Sequence, residues 1–178
     1  MSKLIGIDSF ESFSKVKDIK TDQVINSVLL TVKNLNEKTQ LEPYLRGCIY
    51  DLNDTPHGPS EIVDILTTKI TYGNRQRYAA IILKGKSFHR ITAQDISHQI
   101  YRLKKINGLD IAILGYTGNL MDQPQEEFIN TCLEIGCDYS IWNDIDFARL
   151  FISEGIICPR DGLIIEGNVC SCGYSPQK

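Results

Sequence analysis

Tyr78-Ala-Ala-Ile-Ile-Leu-Lys-Gly-Lys86 sets the fold of this chain. Tyr78 to Leu83 is nearly all apolar, as expected of a central strand covered on both faces. It ends in Lys84, and a charge at the end of a buried run is costly to desolvate unless something pairs with it. With no such role, its ammonium would snorkel out of the sheet end. Upstream, Gly58-Pro-Ser-Glu-Ile-Val-Asp-Ile-Leu-Thr67 reads as a neighbouring strand carrying Glu61 and Asp64. Acids on one strand and a lysine on the next could hold a divalent metal beside a polarised water.

Moving outward, Thr21–Asn36 is predicted as the first helix, with Val24, Ile25, Val28, Leu29, Val32 and Leu35 at helical spacing. Residues 1–19 are read as a short helix or a loose arm. Lys38–Pro43 is a connector and Tyr44–Leu52 a first strand. A turn-rich loop follows, then Glu61–Tyr72 as the second strand and Tyr78–Leu83 as the third. Thr92 caps the next helix, with Asp95 at the third helical position as in a capping box. That helix runs to about Lys105 and stops at Asn107-Gly108. Asp110–Tyr116 and Asp138–Trp142 are further strands, and Gln123–Ile135 and Asp144–Ser153 further helices. The order implies a mixed α/β sheet with helices on both faces.

The chain has 178 residues and a net charge of −3, unevenly spread. From Lys69 to Lys105 there are nine bases against one acid, a net of +8, and from Asn107 onward eleven acids against three bases, a net of −8. A concentrated basic segment on an acidic protein points to local binding of a polyanion. Arg75, Arg77, Lys86, His89 and Arg90 are the candidates for contacting phosphates. No apolar run approaches the roughly 20 residues that span a bilayer. The N-terminal Met-Ser-Lys-Leu-Ile-Gly-Ile-Asp lacks an apolar signal region, so a cytoplasmic location without membrane attachment is expected. Cys48, Cys132 and Cys137 sit in apolar or helical surroundings and read as reduced core residues.

The order of elements resembles the core of the PD-(D/E)xK nucleases, and among them the Mrr-like restriction endonucleases. Two stretches carry the resemblance. One is the Asp64 strand followed by Ile82-Leu-Lys84, Gly85-Lys86 and a helix. The other is Trp142-Asn-Asp-Ile-Asp-Phe-Ala-Arg-Leu-Phe-Ile-Ser-Glu-Gly-Ile-Ile157, similar to the acidic turn and helix that end such domains. The resemblance spans roughly residues 20–157 and implies a restriction-endonuclease-like mixed sheet flanked by helices. It implies Mg²⁺- or Mn²⁺-dependent hydrolysis of DNA phosphodiesters in a prokaryotic restriction or anti-phage defence system. Asp64 would be a metal ligand and Lys84 the catalytic lysine. DNA is the expected partner, with RNA the alternative, and a homodimer or a larger defence complex would place a second site on the other strand.

One position departs from the pattern. Ile82 stands two residues before Lys84, where the family has Glu, Asp or Gln, and isoleucine binds no metal. Glu61 and Gln99 are the favoured replacements, giving Asp64 and Glu61 as the metal pair and Asp64, Lys84, Glu61 and Gln99 as the site. Asp22 and Gln23 are a further option, and His57 or His98 could contact phosphate. The alternative function is a nuclease-like module that has lost its chemistry and binds nucleic acid or serves as a scaffold. A small-molecule α/β domain is disfavoured because neither common Gly-rich phosphate loop occurs.

At the C-terminus, Cys158-Pro-Arg-Asp-Gly162 resembles a zinc knuckle with aspartate in place of its second cysteine, and Cys170-Ser-Cys-Gly173 resembles the partner knuckle. Cys158, Asp161, Cys170 and Cys172 would then form a structural Zn²⁺ site. The expected organisation is an arm (1–19), a nuclease-like domain (20–157) and a small zinc-ribbon-like tail (158–178).

Overall fold

The computed structural model describes residues 1–52 and 63–177. A mixed four-stranded sheet has the order β1-β2-β4-β6. Its strands are β1 (Ile65–Tyr72), β2 (Arg75–Lys84), β4 (Ile111–Tyr116) and β6 (Asp138–Trp142). β1 and β2 form an antiparallel hairpin with Ile65 opposite Ile81 and Tyr72 opposite Arg75. β2–β4 and β4–β6 are parallel, with Ala79 opposite Ile111 and Ile111 opposite Asp138. The two-residue strands β3 (Arg90–Ile91) and β5 (Asn119–Leu120) pair separately.

Alternation along β2 sends its residues to two cores. Ala79, Ile81 and Leu83 face α1 (Asn26–Lys33), α2 (Glu42–Cys48) and α5 (Asp144–Ser153). Ala80 and Ile82 face α3 (Ala93–Leu103) and α4 (Asp122–Ile135). β2 is therefore central and covered on both sides, which accounts for its unbroken apolar run. Among the described residues no helix is long and apolar enough to cross a membrane.

Three expectations change. Tyr44–Leu52 is not a strand. Its first part lies in helix α2, which continues a π-helical turn, Glu37–Leu41. The Asn36 side chain accepts from the Lys38 and Thr39 amides, both at 3.0 Å, and so caps the turn. Pro43 occupies the opening turn of α2, where no amide is needed. Leu41, Leu45, Cys48 and Ile49 recur at helical spacing and are buried. The meander of three strands is consequently a hairpin of two.

The predicted helix Thr21–Asn36 is a 3₁₀ turn, Thr21–Gln23, an extended link, and α1. Two consecutive β-branched residues, Val24 and Ile25, occupy the link. Nor do the first residues form a loose arm. They make three 3₁₀ turns, and Ile5, Ile7, Phe10, Phe13 and Val16 are buried in the main core. Tyr139 of β6 accepts from the Ile5 amide (2.8 Å) and donates to the Lys3 carbonyl (3.0 Å), so the N-terminal segment covers the β6 edge.

Candidate active site

The site begins where β1 ends its pairing with β2. Ile65 opposite Ile81 is the last pair at that end. Beyond it the Leu83 amide has no β1 partner, and the Asp64 side chain takes its place, accepting at 2.7 Å through Oδ2. The same oxygen accepts from Gln99 Nε2 of α3 at 3.3 Å. Its other oxygen, Oδ1, faces Lys38 Nζ at 3.2 Å. Asp64 thus ties together the hairpin, α3 and the π-helical turn.

Glu42, at the start of α2, closes the other side. Its Oε1 accepts from Arg46 Nε at 3.3 Å and Arg46 Nη2 at 3.2 Å, and its Oε2 faces Lys38 Nζ at 3.5 Å. The Lys38 ammonium therefore sits between two carboxylates of different elements. Arg46 Nη2 also donates to the Asp64 carbonyl at 3.3 Å. Burial pushes the Glu42 carboxyl up, Lys38 and Arg46 oppose this, and the Asp64 charge adds to the rise.

Lys84, the last residue of β2, lies 7% exposed. Its Nζ stands 4.4 Å from the Phe88 ring centroid, a cation–π contact. Among the described residues no carboxylate lies within ion-pair distance of it. Burial lowers its pKa, and the negative charges of Asp64, Glu37 and Asp95 resist that change. Ile82 is fully buried with Ile96 and Ile100 of α3. The position two before the lysine is thus hydrocarbon, and polar groups reach Asp64 from α2 and α3 instead.

A glycine fixes this assembly. A Cβ on Gly85 would lie 2.6 Å from the Leu35 carbonyl oxygen and 3.0 Å from the Glu37 amide nitrogen. The Lys86 amide donates to the same Leu35 carbonyl at 3.0 Å. Only a residue without Cβ lets the 35–37 segment lie on the end of β2 and carry Lys38 and Glu42 to Asp64. Gly85→Ala is expected to destabilise the protein by about 1–3 kcal/mol, the usual effect of overpacking. Thermal unfolding followed by circular dichroism reads this, and an unchanged midpoint would mean the segment withdraws without strain.

Of the residues expected from sequence, Asp64 and Gln99 are brought into contact, with Lys84 in their electrostatic reach. Glu61 and His57 lie outside the described residues. Asp22 and Gln23 are exposed on a separate turn, where Gln23 accepts from the Lys20 amide at 2.7 Å. His98 is exposed on α3.

The basic segment is split. Arg75 and Arg77 sit at the hairpin end of β2, about 30 Å and about 23 Å from Lys84 at ~3.3 Å per residue. Arg77 is engaged there, donating from Nε to the Tyr72 carbonyl at 2.8 Å. At the other end, Lys86 and His89 line a cleft of about 340 Å³ with Lys33, Phe88, Thr117 and Asn143. The cleft opens at the carboxyl ends of the parallel strands, where open α/β sheets place ligands. Arg90 lies nearby in β3, its Nε 3.1 Å from Met121 Sδ.

Glu42, Lys38 and Arg46 were not foreseen. Their signals were the Asn36 cap, the Leu41–Leu45–Cys48 spacing, and Glu42 four residues before Arg46, an i,i+4 helix pair. Two buried side-chain polar atoms among the described residues have no hydrogen-bond partner: Gln99 Oε1 and Thr117 Oγ1.

The C-terminal cysteines do converge. One ligand atom each from Cys158, Asp161, Cys170 and Cys172 lies within 4.8 Å of every other, and the group could hold a metal ion. Cys158 Sγ is 3.6 Å from Cys172 Sγ, and Cys170 Sγ is 3.1 Å from Asp161 Oδ2. The Leu163 amide donates to Asp161 Oδ1 at 2.9 Å and holds that carboxyl below its usual range. Cys48, Cys132 and Cys137 are buried and unbridged.

No protein-family model matches the chain, and no curated protein or solved structure matches it.

Proposed function

We propose that Asp64, Glu42, Gln99 and Lys84 form the active site of a Mg²⁺- or Mn²⁺-dependent nuclease of the PD-(D/E)xK kind that hydrolyses DNA phosphodiesters. One observation carries this reading: where Ile82 leaves the pattern without an acid, Gln99 of α3 hydrogen-bonds Asp64 and Glu42 of α2 shares the Lys38 ammonium with it, beside a buried lysine. The residues fit a hard cation. Two carboxylates already hold an ammonium between them, and the buried Gln99 Oε1 is an oxygen donor without a partner. Asp64, Glu42 and Gln99 would hold the ion.

Such an ion, when bound, acts as a Lewis acid and lowers the pKa of its water. The chain's own groups supply the rest. The Leu83 amide fixes the orientation of the Asp64 carboxylate. Lys84, stripped of most of its water and without a carboxylate at ion-pair distance among the described residues, presents its charge to a phosphate more strongly than an exposed lysine would. Lys38, 55% exposed along its side chain, can leave the carboxylate pair. Lys86 and His89 in the adjoining cleft would meet neighbouring phosphates of the strand. Their contribution, unlike that of Arg75 and Arg77, lies at the site's own end of β2.

The biological reading is the effector of a prokaryotic restriction or anti-phage defence system, acting in the cytoplasm. It would work as a homodimer or with a partner subunit that brings a second site to the opposite strand. In the same reading the C-terminal Cys₃Asp group holds zinc, apart from the catalytic ion.

A second reading rests on Lys38. An ammonium between Asp64 and Glu42 can also be a permanent substitute for the metal, leaving an inactive nuclease-like subunit that binds nucleic acid. A plasmid-cleavage assay with Mg²⁺ or Mn²⁺ separates the two. The wild type is expected to nick or linearise supercoiled DNA and to stop on chelation, and Lys84→Met is expected to cut at least ~10²-fold more slowly. A wild type that binds DNA but leaves it intact with both metals would sink the nuclease and favour the binding module.

A further inference from the structure

Residues 156–177 fold without a core of their own. Their buried cluster consists of Cys158, Ile165 and Cys170, with Tyr174 packed against it. Ile156, Ile157 and Ile164 anchor the start of the segment in the main core, but so few apolar side chains around the cysteine turns leave those turns in need of a staple. Its backbone is nevertheless tied by hydrogen bonds. Ile157 bridges Ile164, and the Cys158 amide donates to the Leu163 carbonyl at 2.9 Å. The Gly162 amide returns to the Cys158 carbonyl at 2.9 Å, and the Gly173 amide to that of Cys170 at 2.9 Å. Two tight turns thus present the four ligating side chains, each turn followed by a left-handed glycine, Gly162 at φ +77° and Gly173 at φ +89°.

These cysteines are unbridged, and the spacing of their sulfurs suits a metal. A disulfide needs ~2.05 Å between sulfurs, against the 3.6 Å between Cys158 and Cys172. A tetrahedral ion with Zn–S of ~2.3 Å places its sulfurs roughly 3.8 Å apart. Three thiols and one carboxylate are a soft set that selects zinc over magnesium or calcium. With four protein ligands the coordination is closed, as in structural sites. The first turn also rests on the main domain. A Cβ on Gly162 would come within 2.5 Å of the Ser27 carbonyl carbon and 2.7 Å of the Val28 amide nitrogen, at the start of α1.

We infer that one Zn²⁺ held by Cys158, Asp161, Cys170 and Cys172 is what orders the two cysteine turns, 158–162 and 170–173, and holds the first of them against α1. This rests on the zinc reading above and adds the folding role. The test uses the full chain: elemental analysis for zinc, Co²⁺ substitution read by thiolate-to-cobalt absorption, and hydrogen exchange before and after chelation. One zinc per chain is expected. Chelation is expected to remove protection at the amides of Cys158, Gly162 and Cys170 while β2 and β4 stay protected, and added Zn²⁺ is expected to restore it. Cys172→Ser, at the exposed ligand, should abolish the Co²⁺ bands and reproduce the chelated exchange pattern. Bound zinc whose removal leaves those amides protected overturns the folding role but keeps the zinc. A chain that takes up neither Zn²⁺ nor Co²⁺ overturns both.

Discussion

Asp64→Asn is expected to leave a supercoiled plasmid uncut by a protein that still folds. Asparagine keeps the shape of the side chain and an oxygen that can accept from the Leu83 amide, so the entry to β1 stays capped. What disappears is the charge. The carboxylate faces Lys38 at 3.2 Å, holds Gln99 at 3.3 Å and acts on Lys84 through space. Losing one preorganised electrostatic group of this kind costs ~10²–10³ in rate, about 2.7–4 kcal/mol. The lysine reports the change separately. Burial lowers its pKa and the Asp64 charge raises it, so with asparagine burial is less opposed. Lys84 should then lose its proton at a lower pH than in the wild type, as seen by NMR titration of its Cε. Full cleavage by Asp64→Asn would remove Asp64 from the site, and an unmoved Lys84 titration would show that the two groups do not communicate.

Trp142→Ala carries the largest expected loss of stability, about 3–5 kcal/mol. The indole is completely buried at the end of β6. Its ring meets Phe13 at 5.3 Å, Phe147 at 5.9 Å and Phe10 at 6.0 Å between centroids, all edge-on. Its Nε1 donates to Ser140 Oγ at 2.8 Å, and that hydroxyl donates to the Ile5 carbonyl at 2.6 Å. One side chain therefore joins the sheet, α5 and the N-terminal segment. Truncation opens a cavity among aromatic rings that cannot collapse into it. Domains of this size are stable by ~5–15 kcal/mol in total, so the variant would lose a large share, with a midpoint roughly 6–20 °C lower. Urea unfolding with an unchanged slope reads it directly. A loss below about 1 kcal/mol would mean that the N-terminal turns are held by something other than this cluster.

Where the residue pattern was local and strong, the chain was legible. The capping box at Thr92 and Asp95 closes with the Asp95 carboxylate accepting from the Thr92 amide at 2.7 Å. β6 spans Asp138–Trp142 as read from sequence, and α5 begins behind Asn143, whose side chain accepts from the Asp146 amide at 3.0 Å. The metal-capable group at the C-terminus was also visible, because its four residues lie in two short turns. What was misread lay where two periods overlap. Tyr44-Leu-Arg-Gly-Cys-Ile-Tyr mixes aromatic and branched residues that suit a strand, and the helical spacing emerges only when Leu41 is counted with Leu45 and Cys48. The N-terminal turns escaped for another reason: isolated Ile5, Phe10 and Phe13 are too widely spaced to mark an element, and their burial depends on Trp142, far along the chain.

The sequence by itself determined the alternation of strands and helices, the central position of β2, Lys84 at its end, and a hydrocarbon side chain at Ile82. These follow from neighbours a few residues apart, through propensity, capping and periodicity. The partners of Asp64 were decided only by the tertiary structure. Lys38 comes from a turn that Gly85 lets close onto β2, Glu42 joins through that lysine from the start of α2, and the Gln99 side chain reaches across from α3. Separations of 22, 26 and 35 residues along the chain were closed by packing, and packing sums many weak contacts that no short window of sequence contains.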